Sequence, residues 1–91
     1  MKLSIIKEDG TVYVDGVPKY IDLSNIKPSD FRALQWSGPT TGKGGSGHIE
    51  FTGTPRKPNQ TITDLGDYYA VYQQWLAAPD IPKPFEDLVI P

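Results

Sequence analysis

The chain has no cysteine, so neither a disulfide framework nor a thiolate metal site is open to it. It has a single histidine, His48, and therefore no histidine pair at the spacing that holds metal ligands on one helix face. No apolar run approaches the roughly 20 residues needed to span a bilayer. The opening Met1-Lys2-Leu3-Ser4-Ile5-Ile6 starts as a signal peptide would, but Lys7-Glu8-Asp9-Gly10 ends the run far short of a hydrophobic region. A basic stretch is missing too. Nine basic and eleven acidic residues are mixed along the chain for a net charge of −2, which excludes the footprint of nonspecific nucleic-acid binding.

Apolar residues are also scarce, at 37% of 91 residues. A chain of this length forms one domain and buries a modest fraction of its surface. A second copy or a partner chain is therefore an expected source of additional core. Nine glycines and nine prolines are well above the ordinary share, but they cluster, which reads as long ordered loops rather than disorder.

What is present is mostly β-prone. Residues 3–7, Thr11-Val12-Tyr13-Val14 and Val17 to Leu23 are three such runs, separated by Asp9-Gly10 and Asp15-Gly16. Asp-Gly between β-prone runs is a strong hairpin signal, because tight primed turns need positive φ. Two in succession predict a three-stranded meander, with Val12 and Val14 on one face and Tyr13 on the other. Residues 24–30 read as a connection. Phe31 to Trp36 reads as a strand with Leu34 and Trp36 on one face, and His48 to Thr52 as another with Ile49 and Phe51 together. Between them, Ser37 to Gly47 holds five glycines, and it is expected as a flexible hairpin tip.

Gly53 to Thr61 reads as irregular chain, and a helix is predicted from Thr63 or Asp64. Asp64 and Asp67 would sit in its first turn as caps. Leu65, Tyr69, Tyr72 and Leu76 step by four, three and four along one stripe, flanked by Tyr68 and Trp75. Pro79 ends the helix. From Pro79 to Pro91 the chain carries four of its nine prolines among Ile81, Phe85, Leu88, Val89 and Ile90, and is expected to run extended against this domain or a neighbouring subunit. The fold expected is α+β. A small antiparallel sheet, a meander of four to five strands, carries one C-terminal amphipathic helix over residues 1–78, and 79–91 form a Pro-rich tail.

Three segments invite a catalytic reading and are better explained otherwise. Gly38-Pro39-Thr40-Thr41-Gly42-Lys43-Gly44 resembles a phosphate loop, but three residues rather than four separate its glycines, Gly44 stands where Ser or Thr is needed, and a strand follows instead of a helix. His48 would need a nucleophile and an orienting acid around it, and no spacing marks such a trio. Asp64 and Asp67 are accounted for as caps. The chain is thus expected to be no enzyme and to take no cofactor or metal. Its densest feature is aromatic: Tyr68, Tyr69, Tyr72 and Trp75 fall within eight helical positions, more than one buried stripe requires. Trp36, Tyr68, Tyr72, Trp75 and Phe85 are accordingly the candidate partner-binding residues.

Met1-Lys2-Leu3-Ser4-Ile5-Ile6, Asp9-Gly10-Thr11-Val12, Asp15-Gly16, Asp22-Leu23-Ser24, Ala33-Leu34-Gln35-Trp36 and Gly47-His48-Ile49-Glu50-Phe51, with Pro58-Asn59, Ile62 and Trp75 beyond them, form a pattern covering about residues 1–76. It is similar to small proteins of the late, tail-fibre region of tailed bacteriophages and prophages. Residues 37–47 depart from that pattern, which has a short turn there. The resemblance implies synthesis in the cytoplasm of a bacterial host and a place in the virion tail or its assembly. The partners it implies are other phage structural proteins or further copies of the chain. A host-directed accessory protein, an inhibitor or a binder that sequesters a small molecule, is the second expectation. No functional residue carries over from the family.

Overall fold

A computed structural model describes residues 1–81 of the chain; Phe85 and the Pro-rich tail beyond Ile81 lie outside the described residues. Six strands form one antiparallel sheet: β1 (Lys2–Ile6), β2 (Thr11–Val14), β3 (Val17–Tyr20), β4 (Phe31–Ser37), β5 (Ser46–Phe51) and β6 (Gln60–Ile62). A 3₁₀ turn at Gly66–Tyr68 leads into one helix, α1 (Tyr69–Ala77). The α+β class and the antiparallel sheet are as expected.

The strand order is β3-β2-β1-β4-β5-β6. Rather than one meander of four to five strands, two three-stranded meanders are joined where β1 pairs with β4, Leu3 opposite Trp36 and Ile5 opposite Leu34. The joining pair is favoured by burial. Leu3, Ile5 and Leu34 are almost wholly excluded from water, and setting the two apolar strands side by side places all three at the centre of the sheet. β6 is the strand that sequence patterning misses. Its three residues, Gln-Thr-Ile, follow the Pro-punctuated stretch and are too few to show an alternation.

The two Asp-Gly signals resolve differently. Asp15 and Gly16 take φ of 49° and 84°, the paired positive values of a two-residue primed turn, with Val14 opposite Val17 across it. At the first hairpin the loop is four residues long. It closes through the Gly10 N–H donating to the Lys7 carbonyl (3.1 Å), with Ile6 opposite Thr11.

Register puts the core on one face. Across the sheet run Val17, Val14, Leu3, Trp36, Gly47 and Ile62, and beside them Lys19, Val12, Ile5, Leu34, Ile49 and Gln60. Both rows point to the helix side, where Leu65, Val71 and Tyr72 complete the core with Ile21, Leu23, Phe31 and Phe51. The opposite face carries Tyr13, Ser4, Gln35, His48 and Thr61 in line. Polar and aromatic side chains on an uncovered face are the usual signature of a sheet packed on one side only.

The helix begins later than its pattern predicts. Gly66 holds φ of 56° and interrupts the chain after Leu65, so the 3₁₀ turn rather than Asp64 or Asp67 supplies the entry. The turn winds three residues per revolution, which changes the phase of Leu65 relative to α1. In consequence Val71 joins Tyr72 in the core, Tyr69 is half-buried, and Leu76 is 57% exposed. Ala78 ends the helix in an extended conformation (ψ 150°), as the following Pro79 requires.

Candidate functional site

The aromatic candidates occupy very different positions. Trp36 is 3% exposed, and its indole N–H donates to the Thr63 carbonyl at 2.8 Å. Gly38 and Gly45 flank this ring so closely that a Cβ on Gly38 would lie 2.6 Å from it, and one on Gly45 would also overlap it. The loop between β4 and β5 is therefore held in place, contrary to the expected flexible tip. Its glycines are the surface against which the indole packs. Gly45 N–H donates to the Thr63 carbonyl (2.9 Å), Gly44 N–H to the Asp64 carboxylate (2.9 Å), and Leu65 N–H to the Gly42 carbonyl (2.7 Å). Asp64 thus satisfies a loop amide rather than a helix N-terminus. Only the close approach of loop and ring could have signalled this, and it depends on pairings distant in sequence.

Tyr72 is 9% exposed and belongs to the core. Trp75 is half-buried. It ties the end of α1 to the edge strand β3 through its indole N–H on the Val17 carbonyl (3.1 Å). Lys19, though 8% exposed, is not stranded: its ammonium lies 4.1 Å from the Trp75 ring centroid and donates to the Trp75 carbonyl at 3.0 Å. A cation at a helix C-terminus offsets unsatisfied carbonyls and the helix dipole. Asp80, 3.9 Å away and 90% exposed, adds little to this arrangement.

Tyr68 is different. Its ring stacks at a tilt on Phe31, 5.4 Å between centroids, and its hydroxyl donates to the Lys27 carbonyl at 2.7 Å. Burial, reinforced by the neighbouring Asp67 charge, pushes its phenol above the ordinary value. One side of Tyr68 faces a groove of about 730 Å³ on the helix side of the sheet. Ile49 and Ile62 line it from the strands, Leu23 and Ile26 from the segment after β3, and Leu65 and Val71 from the helical side. Its rim is charged with both signs. Asp22 is held below the usual carboxylate range by the Ser24 hydroxyl, at 2.6 Å, and then by the Ser24 amide; Lys27 and Asp67 complete the rim.

An apolar recess with a few polar groups at its margin suits an apolar segment or ligand. It arises because α1 is only nine residues, about 13.5 Å long, while six strands at about 4.8 Å spacing extend past it. The helix packs on β2 and ties to β3, leaving β5 and β6 covered less fully. Sequence reasoning named Tyr68 but missed Ile49, Ile62 and Leu23 as groove residues. Each reads as ordinary core until the helix is placed.

On the uncovered face His48 lies 3.4 Å from Glu50. Ser4 donates its hydroxyl hydrogen to Gln35. Ser4, Gln35 and His48, with Lys2, Ser46 and Thr61, outline a shallow depression of about 530 Å³. Among the described residues no group of three His, Asp or Glu side chains is placed to hold a metal ion, and no helix is long and apolar enough to cross a membrane. No protein-family model, no curated protein and no solved structure matches the chain.

Proposed function

We propose that the chain is a non-enzymatic docking protein of a tailed bacteriophage, a tail or tail-fibre component or a helper in its assembly, made in the host cytoplasm. The observation that carries the docking part is the groove lined by Ile49, Ile62, Leu65 and Tyr68. Ile26, Ile62 and Tyr68 are only partly buried there, beside the already buried Ile49 and Leu65, and gain by being covered, at roughly 25 cal/mol for each Å² removed from water. Its occupant in a complex is an apolar segment of another phage structural protein or of a second copy. The phage setting rests on the resemblance carried by Ala33-Leu34-Gln35-Trp36 and Ile49-Glu50-Phe51. Mass spectrometry of purified particles tests it: the protein is expected among the virion components or on assembly intermediates, and its absence from both defeats this reading.

A second reading, a host-directed accessory protein that sequesters a small molecule, draws on the depression of Ser4, Gln35, His48 and Thr61. Hydroxyl, amide and imidazole groups side by side suit a small polar ligand. Substituting Gln35 and His48 by alanine would abolish such sequestration and leave particle assembly intact.

A further inference from the structure

We propose that the chain pairs with a second copy of itself through the open edge of β6, joining two sheets into one about a two-fold axis at Thr61. The inference goes beyond the docking groove and does not depend on it. Its first support is the contrast between the two edge strands, β3 and β6. Gly38 N–H donates to the Met1 carbonyl (2.9 Å) and Lys7 N–H to the Arg32 carbonyl (3.1 Å), which fixes the alternation of bonded pairs between β1 and β4. Carried across the register, that alternation turns Gly47 and Ile49 toward β6, and Gln60 and Ile62 back toward β5. The N–H and C=O of Thr61, an exposed residue, are left pointing out of the sheet.

On the other edge the same alternation makes Pro18 and Tyr20 the outward residues. Pro18 has no N–H to offer, and the end of α1 is tied to this strand through Trp75 on the Val17 carbonyl. β3 is thus closed to an added strand, whereas Gln60–Ile62 holds neither proline nor charge. A β3-to-β6 contact would build an open chain of sheets. With β3 closed, β6 on β6 is the pairing that remains, and it stops at two copies.

The second support is charge. The leg before β6, residues 55–59, carries Arg56 and Lys57 and no acid, and the leg after it, 63–67, carries Asp64 and Asp67 and no base. Antiparallel pairing about Thr61 brings the basic leg of each copy alongside the acidic leg of the other. Lys57 is held by Asp30, and Asp64 by the Gly44 amide. Arg56 and Asp67, both exposed and without an ion pair among the described residues, are the charges left for the second copy. The axis stands perpendicular to the sheet, so both helices and both grooves end on the same face.

Sedimentation equilibrium of the native chain over a concentration series is expected to show a monomer–dimer equilibrium. Exchange of the Thr61 amide with solvent should slow as the dimer forms. Thr61→Pro removes only the outward N–H and spares the bonds that Gln60 and Ile62 make to β5, so this variant should stay folded and monomeric. Arg56→Glu should raise the dissociation constant by about tenfold, because the axis presents the repelling pair twice, and adding Asp67→Arg should restore it. A native chain that stays monomeric up to millimolar concentration, with Thr61 exchange unchanged, overturns the proposal. So does a dimer that Thr61→Pro and Arg56→Glu both leave intact. Either result leaves the docking reading standing; that reading fails instead if groove variants enter particles normally.

Discussion

At Trp36 one side chain joins three parts of the chain. The indole fills the space between β4 and the loop, and its N–H satisfies a carbonyl of the segment leading to the helix. Trp36→Ala should cost about 3–5 kcal/mol, the ordinary loss for a buried aromatic, seen as a lower denaturant midpoint. Gly45→Ala should cost about 1–3 kcal/mol, because the added methyl overlaps a ring that cannot retreat from a packed core. These two losses should be only partly non-additive, since Trp36→Ala removes the methyl's overlap with the ring but leaves its overlap with the Ser37 carbonyl oxygen. Tyr68 gives a pH-dependent prediction. Its folded-state pKa is raised, so its contribution to stability is complete below the unfolded value near 10 and is lost as pH rises through the folded value. Thermal midpoints of the native protein should therefore fall above about pH 10, and Tyr68→Phe should flatten that part of the profile.

Among the elements, the hairpins were the most legible. β1 alternates cleanly, β2 keeps Val12 and Val14 inside with Tyr13 outside, and Asp15-Gly16 takes the one conformation that its residues make cheap. The helix was legible in existence but not in phase, because a period of 3.6 was counted through Gly66, where the backbone leaves that period. The glycine-rich loop was misread for a related reason. Composition reports what glycine permits, whereas here the fold uses its missing Cβ. Asp64 separates the two readings of the helix start. Asp64→Ala should reduce hydrogen-exchange protection at the Gly44 amide and cost about 0.5–1.5 kcal/mol. Protection within α1 should be unaffected. A helix cap would instead have shown the loss at the first turn of the helix.

For the whole molecule, a helix shorter than its sheet is wide produces both a core and a recess beside it. Ile49 and Ile62 belong to the same register rows as Leu34 and Leu3; alternation with Phe51 marked Ile49 as inward-facing, whereas the strand of Ile62 is too short to be marked so. That they end beside an open groove depends on where α1 lies, which Trp75 and Lys19 decide by fastening it to β3. Lys19→Met should cost about 1–3 kcal/mol by removing a charge-assisted hydrogen bond and a cation–π contact, read as a lower thermal midpoint. We propose that this groove docks the protein onto phage structure. The most direct test is the amount of protein in particles assembled with Ile62→Lys, beside the native chain at equal expression and with the variant's folded state verified by its amide spectrum. Near-complete loss from particles is predicted for the folded variant. Incorporation at the native level would contradict the account.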